Sequence, residues 1–192
     1  MNSIMNIQTK SPPEDDLQLA EMARTNSDAF AELYQRHVTR VYRYQMAHTG
    51  NAKDAEDLTS QTFMAALEGI HSFRRTGSFA AWILGIAAKK KAMFFRKNKP
   101  EIQLEAALHI QSPQLATDKL ANQRLMLESI SHALHQLSPD RADAITLTFF
   151  GGLSNEEAGR ALGKSEASIK MLVSRGLQDL RERTSLRMEV EE

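Results

Sequence analysis

On the segment 165–180, Ser168, Lys170, Met171, Ser174, Arg175 and Gln178 alternate at helical spacing with Ile169, Leu172, Val173, Leu177 and Leu180. Steps of three and four residues turn the aliphatic set inward and leave a polar, basic face outward. Hydroxyl, ammonium and guanidinium groups on a face led by a helix N-terminus suit a DNA major groove; the plainer alternative is the solvated side of a helical hairpin. A second concentration of charge is Lys89, Lys90, Lys91, Arg96, Lys97 and Lys99, with no acid among them. Acids gather elsewhere, at Glu14-Asp15-Asp16, at Asp54-Glu56-Asp57 and in the tail Glu189, Glu191, Glu192. Such segregation suggests one face for nucleic acid and another for a different partner. Glu128, His132 and His135 lie near one helical face, but two imidazoles and a carboxylate without a fourth ligand make a poor metal site, and no metal or cofactor is expected. No glycine-rich phosphate loop, Ser-His-Asp order or paired-carboxylate cleft stands in the chain, so catalysis on a small-molecule substrate has no supporting constellation.

The elements that must hold these groups are helical. Leu153 to Leu180 reads as two helices hinged at Leu162-Gly163-Lys164: Ser154 and Glu157 form a capping box, Gly159 is small where the two helices must cross closely, Gly163 can take positive φ, and Ser165 caps the second helix. Upstream, Ser27 is a candidate cap for a long helix whose stripe is Phe30, Leu33, Tyr34, Val38, Val41, Tyr42 and Met46, ending at Gly50. A second helix opens at Asn51 with Ala55, Leu58, Thr59, Thr62, Phe63, Ala66, Leu67 and Ile70 inward, and Asp54, Asp57, Ser60, Gln61, Met64 and Glu68 on its other side. After a loop from His71 to Gly77, Ser78 caps a third helix with Phe79, Trp82, Ile83, Ile86 and Ala87 inward, which Pro100 ends. Leu127, Ile130, Leu134 and Leu137 begin a second block, with Ser138-Pro139 as cap and first-turn proline before Ala142, Ile145 and Phe149. The fold class is therefore all-α: an N-terminal helical bundle over 14–99, a linker over 100–122 that Pro113 interrupts, and a helix-turn-helix domain over 123–187.

At 192 residues the chain is long enough for one ordinary domain or two small ones. Absent cysteine excludes disulfides and thiolate zinc sites, and MNSIMNIQTK does not resemble a basic and then apolar signal sequence. No apolar run approaches membrane-spanning length, so no direct membrane insertion is expected and the expected location is cytoplasmic. Lys plus Arg and Asp plus Glu are 24 each, a balance unusual for a protein that holds DNA unaided, since counterion release rewards a basic surface.

The order of short motifs resembles the extracytoplasmic-function (ECF) group of bacterial RNA polymerase sigma factors. The residues that carry the resemblance are Phe30-Ala-Glu-Leu33-Tyr34, Tyr42-Arg43-Tyr44, Gly50-Asn51, Asp54-Ala55-Glu56-Asp57-Leu58, Phe63-Met-Ala-Ala66-Leu67, Phe73-Arg74 and Phe79-Ala-Ala81-Trp82-Ile83. In the second block they are Leu137-Ser-Pro139, Gly152-Leu153-Ser154, Leu162-Gly163-Lys164-Ser165-Glu166 and Arg175-Gly-Leu177. What the resemblance implies is a promoter-specificity subunit whose partners are core RNA polymerase and promoter DNA, with an anti-sigma factor as a further partner. The N-terminal domain would meet the −10 element and the C-terminal domain the −35 element. On that footing Glu166, Ser168, Ile169, Lys170, Ser174 and Arg175 would read the −35 element. The loop Phe73, Arg74, Arg75 to Ser78 would sit beside an unstacked −10 base, and Lys89, Lys90, Lys91, Arg96 and Lys97 would follow phosphates. Asp54, Glu56, Asp57 and Gln61 would meet the polymerase. Many relatives carry Gln-Glu where Ser60-Gln61 stand, one carboxylate more on that face. Neutral net charge then has a rationale, because the polymerase supplies much of the DNA contact. Two other classes fit parts of the pattern: a stand-alone helix-turn-helix regulator, which would bind half-sites as a symmetric dimer, and a sigma-like protein that sequesters polymerase.

Overall fold

The computed structural model describes residues 13–98 and 129–190, with side chains placed for 15–98 and 129–182. The expected linker 100–122, together with Pro100 and Glu128, lies outside the described residues. All regular structure among the described residues is helical: α1 Pro13–Met22, α2 Ser27–Thr49, α3 Ala52–Gly69, a 3-10 turn Ile70–Ser72, α4 Phe79–Lys97, helical residues 129–135, α5 Pro139–Phe149, α6 Asn155–Leu162 and α7 Glu166–Val190.

Local chemistry places most of these boundaries. The cap of α2 is Asn26, whose side chain accepts from the Asp28 amide, so Ser27 is the first helical residue and not the cap. Asparagine and serine are both good caps, and adjacency left the choice to the backbone. Asn51 caps α3 through the Asp54 amide, and Ser78 caps α4 through the Ala81 amide. Pro139 occupies the first turn of α5 after Ser138, where its missing N–H costs nothing, although the Ser138 side chain makes no capping bond. Helix α4 closes at Asn98, two residues before the proline expected to end it.

Helix α1 was not foreseen, and it changes the reading of the N-terminal acids. Asp15 and Asp16 are engaged within the chain: Arg36 Nη1 lies 2.7 Å from Asp15 and 3.1 Å from Asp16, and His37 Nε2 lies 2.8 Å from Asp16. Burial pushes the Asp16 carboxyl up, but the hydrogen bonds and charges of His37 and Arg36 outweigh it and hold it below its ordinary value. These contacts clip α1 onto α2.

One core runs through the N-terminal bundle and on into the second block. Leu33, Val41, Tyr44, Phe63, Phe79, Ile83 and Leu84 join Ala144, Leu147, Leu153, Ala158 and Ile169 in a single buried cluster. A smaller cluster sets Ala47 of α2 against Leu134, Leu137, Ala142 and Ile145. The two blocks therefore pack on each other, with α4 against α6 and the end of α2 against α5.

Candidate nucleic-acid and polymerase interfaces

The helix-turn-helix is fixed by its caps. Ser154 Oγ accepts from the Glu157 amide and the Glu157 carboxylate accepts from the Ser154 amide at 2.9 Å, the reciprocal pair that closes the start of α6. Gly163 ends α6 at φ 67°, and Ser165 Oγ accepts from the Ser168 amide to open α7. At Gly159 the backbone of the turn passes so close that an added Cβ would stand 2.6 Å from the Lys164 carbonyl oxygen. The smallness at that position therefore serves the turn itself.

On α7, Glu166, Lys170, Ser174 and Arg175 are exposed and Ser168 is half-buried. Glu166 holds Lys170 in an i,i+4 pair at 2.7 Å. Ile169 is 0% exposed and packs in the main core, so it is not available as a DNA contact. The helical period had turned it inward, and the assignment by resemblance gives way to that packing. Beside the exposed row, Asn155, Lys170, Ser174 and Arg181 line an open groove, which adds Arg181, beyond the expected set, to the cationic surface.

The loop between α3 and α4 presents Arg74 and Arg75 to solvent, while Phe73 is buried against Phe79 and Trp82, ring centroids 5.7 and 5.3 Å away. Phe73 is thus a packing residue of the loop and not an exposed stacking platform. An open cavity of about 320 Å³ is lined by Phe73, Arg74, Ser78, Trp82, Lys89 and, from α6, Arg160. Lys89, Arg96 and Lys97 are exposed and Lys90 is half-buried. Lys91 differs from them: it is 7% exposed, and its ammonium donates to the Asp143 carboxylate of α5.

Around Asp143 lies a polar cluster that sequence reasoning did not find. His48 Nε2 is 3.2 Å from the Asp143 carboxylate and 2.8 Å from Thr146 Oγ1, and the Tyr44 hydroxyl is 3.5 Å from Asp143. Burial, then the charges of Lys91 and His135, hold the His48 imidazole well below its ordinary value; burial chiefly drives the Tyr44 phenol up. At the N-terminus of α4, Ser78 Oγ also reaches across the blocks and donates to the Glu157 carboxylate. Burial pushes the Glu157 carboxyl up, but hydrogen bonds from Ser78 and Ser154 prevail and keep it low.

On α3, Glu56, Asp57 and Gln61 are exposed and Asp54 is half-buried in the first turn, where a carboxylate also favours the helix start. Met64 and Leu67 continue this surface at 64% and 51% exposure. Leu67 was expected inward and is not, so the outward surface is more apolar than its charges suggested. Exposed aliphatic groups beside acids form a surface suited to a protein partner. His135 packs its ring on Phe95 at 5.6 Å, and no group of three metal-ligating side chains occurs among the described residues. No helix among them is long and apolar enough to cross a membrane.

Comparison with known proteins assigns both blocks. Residues 33–101 match Sigma-70 region 2 and residues 127–180 match Sigma-70, region 4, together well over half of the chain. The chain is 33% identical over 171 residues to the ECF RNA polymerase sigma factor BldN of Streptomyces coelicolor, covering 85% of this chain and 64% of that protein. It is 29% identical to the ECF RNA polymerase sigma factor SigM of Bacillus subtilis, covering 78% of this chain and 91% of that protein. Among solved structures, the sigma factor RpoE of Bartonella quintana, in complex with the anti-sigma factor NepR, superposes with a TM-score of 0.63 at 27% identity, over 80% of this chain and 94% of that one. CnrH, in complex with the cytosolic domain of CnrY, shares the fold at a TM-score of 0.67 and 22% identity, over 90% and 97% of the two chains. With both sigma regions present in the family's order, the chain belongs to the ECF group of bacterial RNA polymerase sigma factors.

Proposed function

We propose that the chain directs core RNA polymerase to promoters by dividing recognition between its two blocks. The N-terminal block, 14–99, carries the polymerase contact on Asp54, Glu56, Asp57 and Gln61 of α3, extended by Met64 and Leu67. It carries the −10 contact on Arg74, Arg75 and Ser78 with Lys89, Lys90, Lys91, Arg96 and Lys97. The C-terminal block, 123–187, carries the −35 contact on Glu166, Ser168, Lys170, Ser174 and Arg175. The reading assigns no catalysis to the chain itself and sets its work in the cytoplasm, where the polymerase is. An anti-sigma factor belongs among its partners; support comes from RpoE, which was solved with one.

The observation that carries the division is the exposed polar and cationic row on α7 held by a fully capped turn, beside a different kind of surface on α3, acidic and apolar. A surface that reads DNA needs cations; a surface that docks on protein needs apolar groups that water leaves readily. The test is retention of core polymerase from the host on the immobilised chain. Glu56→Lys with Asp57→Lys should lose the polymerase while retaining wild-type helix content. Arg175→Ala should keep the polymerase and lose promoter binding. Polymerase retained at wild-type yield by the charge-reversed chain would remove the α3 assignment.

A further inference from the structure

The loop proposed to meet the −10 element is fastened at one end by a residue that lies outside it. Arg24, in the turn between α1 and α2, donates from Nη2 to the Phe73 carbonyl oxygen at 3.1 Å and from Nη1 to the Glu21 carboxylate at 3.0 Å. Its Nε is enclosed with no hydrogen-bond partner among the described residues, so the two outer nitrogens set where the guanidinium lies. Three constraints therefore meet on Phe73. Its amide donates to the Ile70 carbonyl oxygen at 3.1 Å, its own carbonyl accepts from Arg24, and its ring packs on Phe79 and Trp82. The turn that carries Arg24 is seated by small residues: Ala20 and Ala23 are 0% and 6% exposed and share the buried cluster of Phe73 and Phe79. At the far end of the loop Ser78 caps α4 through the Ala81 amide. Between these two fixed points Arg74, Arg75 and Thr76 are exposed.

From this linkage we infer that Arg24 is a positioning residue for −10 recognition: it meets no DNA itself, but fixes the backbone at Phe73 so that Arg74 and Arg75 are presented to an unstacked base in one arrangement. The inference rests on the −10 assignment proposed above. It draws α1 and its turn into the recognition apparatus, although they precede the residues that match Sigma-70 region 2. A loop that samples several shapes binds a base more weakly by the fraction of time it spends in the right one, so fastening it raises affinity without adding a contact. Arginine suits the task. Its bond to a carbonyl oxygen is charge-assisted, and its planar fork serves two acceptors at once, so Glu21 aims the side chain that Phe73 receives. Helix α1 is a firm base for it, because Asp15 and Asp16 bind Arg36 of α2.

The test uses core polymerase carrying the full chain, on a promoter mapped by its RNA 5′ ends and prepared with the −10 element single-stranded. Affinity for the intact strand is divided by affinity for a strand made abasic at one −10 position, and each position is taken in turn. Wild type should show a ratio of about tenfold or more at one position, the worth of one stacked base. Arg24→Met, which keeps the length of the stem and removes the donors, should lower that ratio by about fivefold. Affinity for the abasic strand should stay as in wild type. Arg24→Lys keeps the charge and a donor without the fork, and should recover part of the loss. Val41→Ala, a truncation in the core of α2 that removes none of the bonds of Arg24, should lower thermal stability and keep the wild-type ratio. A wild-type ratio in Arg24→Met, or an equal loss in Val41→Ala, would overturn the positioning role. So would a salt slope reduced by about 0.7 in Arg24→Met, the mark of a lost phosphate contact. In the free chain, trypsin should cut after Arg74 and Arg75 several-fold faster in Arg24→Met than in wild type or Val41→Ala, and an unchanged rate would overturn the fastening. That rate is read without polymerase or promoter, so it decides on the fastening even where no −10 position of wild type shows selectivity, the result that would count against the −10 assignment itself.

Discussion

Arg175, Lys91 and His48 illustrate three fates of a charged or titratable side chain in one small protein. Arg175 is exposed on α7 beside Ser174, free to meet a base edge or a phosphate. Replacing it with alanine should weaken holoenzyme binding to the preferred promoter by about 1–3 kcal/mol, read from fluorescence anisotropy against a mismatched control. Lys89 and Lys91 lie two residues apart, yet their substitutions should behave differently. Lys89→Ala should leave stability unchanged and flatten the salt dependence of promoter binding, because Lys89 is exposed. Lys91→Ala should lower the urea-unfolding stability of the free chain by about 3 kcal/mol, because it strands a mostly buried Asp143 carboxylate. Equal effects of the two would contradict the buried pair. His48, enclosed by Tyr44, Lys91, His135, Asp143 and Thr146, has a folded value below the ordinary 6.5, since Lys91 already balances Asp143 and burial decides. The unfolded chain then takes the proton first, so stability is complete above roughly pH 6.5 and declines as the pH falls below it. Asp16 and Glu157, held low in the fold, extend the decline through the carboxylate range. Urea titrations at pH 7 and pH 5.5 should differ for wild type and differ less for His48→Gln; equal losses in both would place the acid sensitivity elsewhere. At this scale charge and period were legible in the sequence but pairing was not. The run Lys89 to Lys97 reads as uniform, and only tertiary structure reveals that Asp143, 52 positions away from Lys91, takes one member of it. Ile169 is the reverse case: its inward period was legible and agreed with the fold where the resemblance did not.

The helix-turn-helix is the element whose sequence most fully specifies its geometry. Ser154, Glu157, Gly163 and Ser165 each answer a local requirement of caps or positive φ, and none needs a distant partner to do so. Two of its glycines, Gly159 and Gly163, differ in kind. Gly163 has open space around it and only its backbone conformation to defend, so Gly163→Ala should cost about 1–2 kcal/mol. Gly159→Ala would drive a Cβ into the Lys164 carbonyl oxygen and should unfold the hairpin or shift α7, with a much larger loss in thermal stability. Comparable losses in the two variants would mean that the turn relaxes more easily than the fold suggests. The starts of α3 and α4 were legible for the same local reason. Helix α1 was not, because its ten residues carry no strong apolar stripe and are held by ion pairs from Asp15 and Asp16 to Arg36 and by a hydrogen bond between Asp16 and His37. Leu67 escaped as well: it lies at the edge of the α3 stripe, where a small rotation decides between core and surface.

Taken whole, the molecule has three distinct surfaces on a chain with no net charge. The α7 row is polar and cationic, the outer face of α3 is acidic and apolar, and α4 is basic but partly covered from within. Two-block organisation was legible from the stripes on either side of the Pro113 region. The packing between the blocks was not, because it depends on buried aliphatic residues and on single polar pairs, Lys91 with Asp143 and Ser78 with Glu157, whose partners lie far apart in sequence. Zero net charge fits a subunit that gains its hold on DNA together with a larger partner. The most direct test of that account is transcription in vitro, with the chain added to core polymerase from its own host over fragmented genomic DNA and the RNA 5′ ends sequenced. The expected result is a set of discrete new start sites, absent without the chain, that share paired upstream elements. Core binding without any new start, or no core binding at all, would contradict the account.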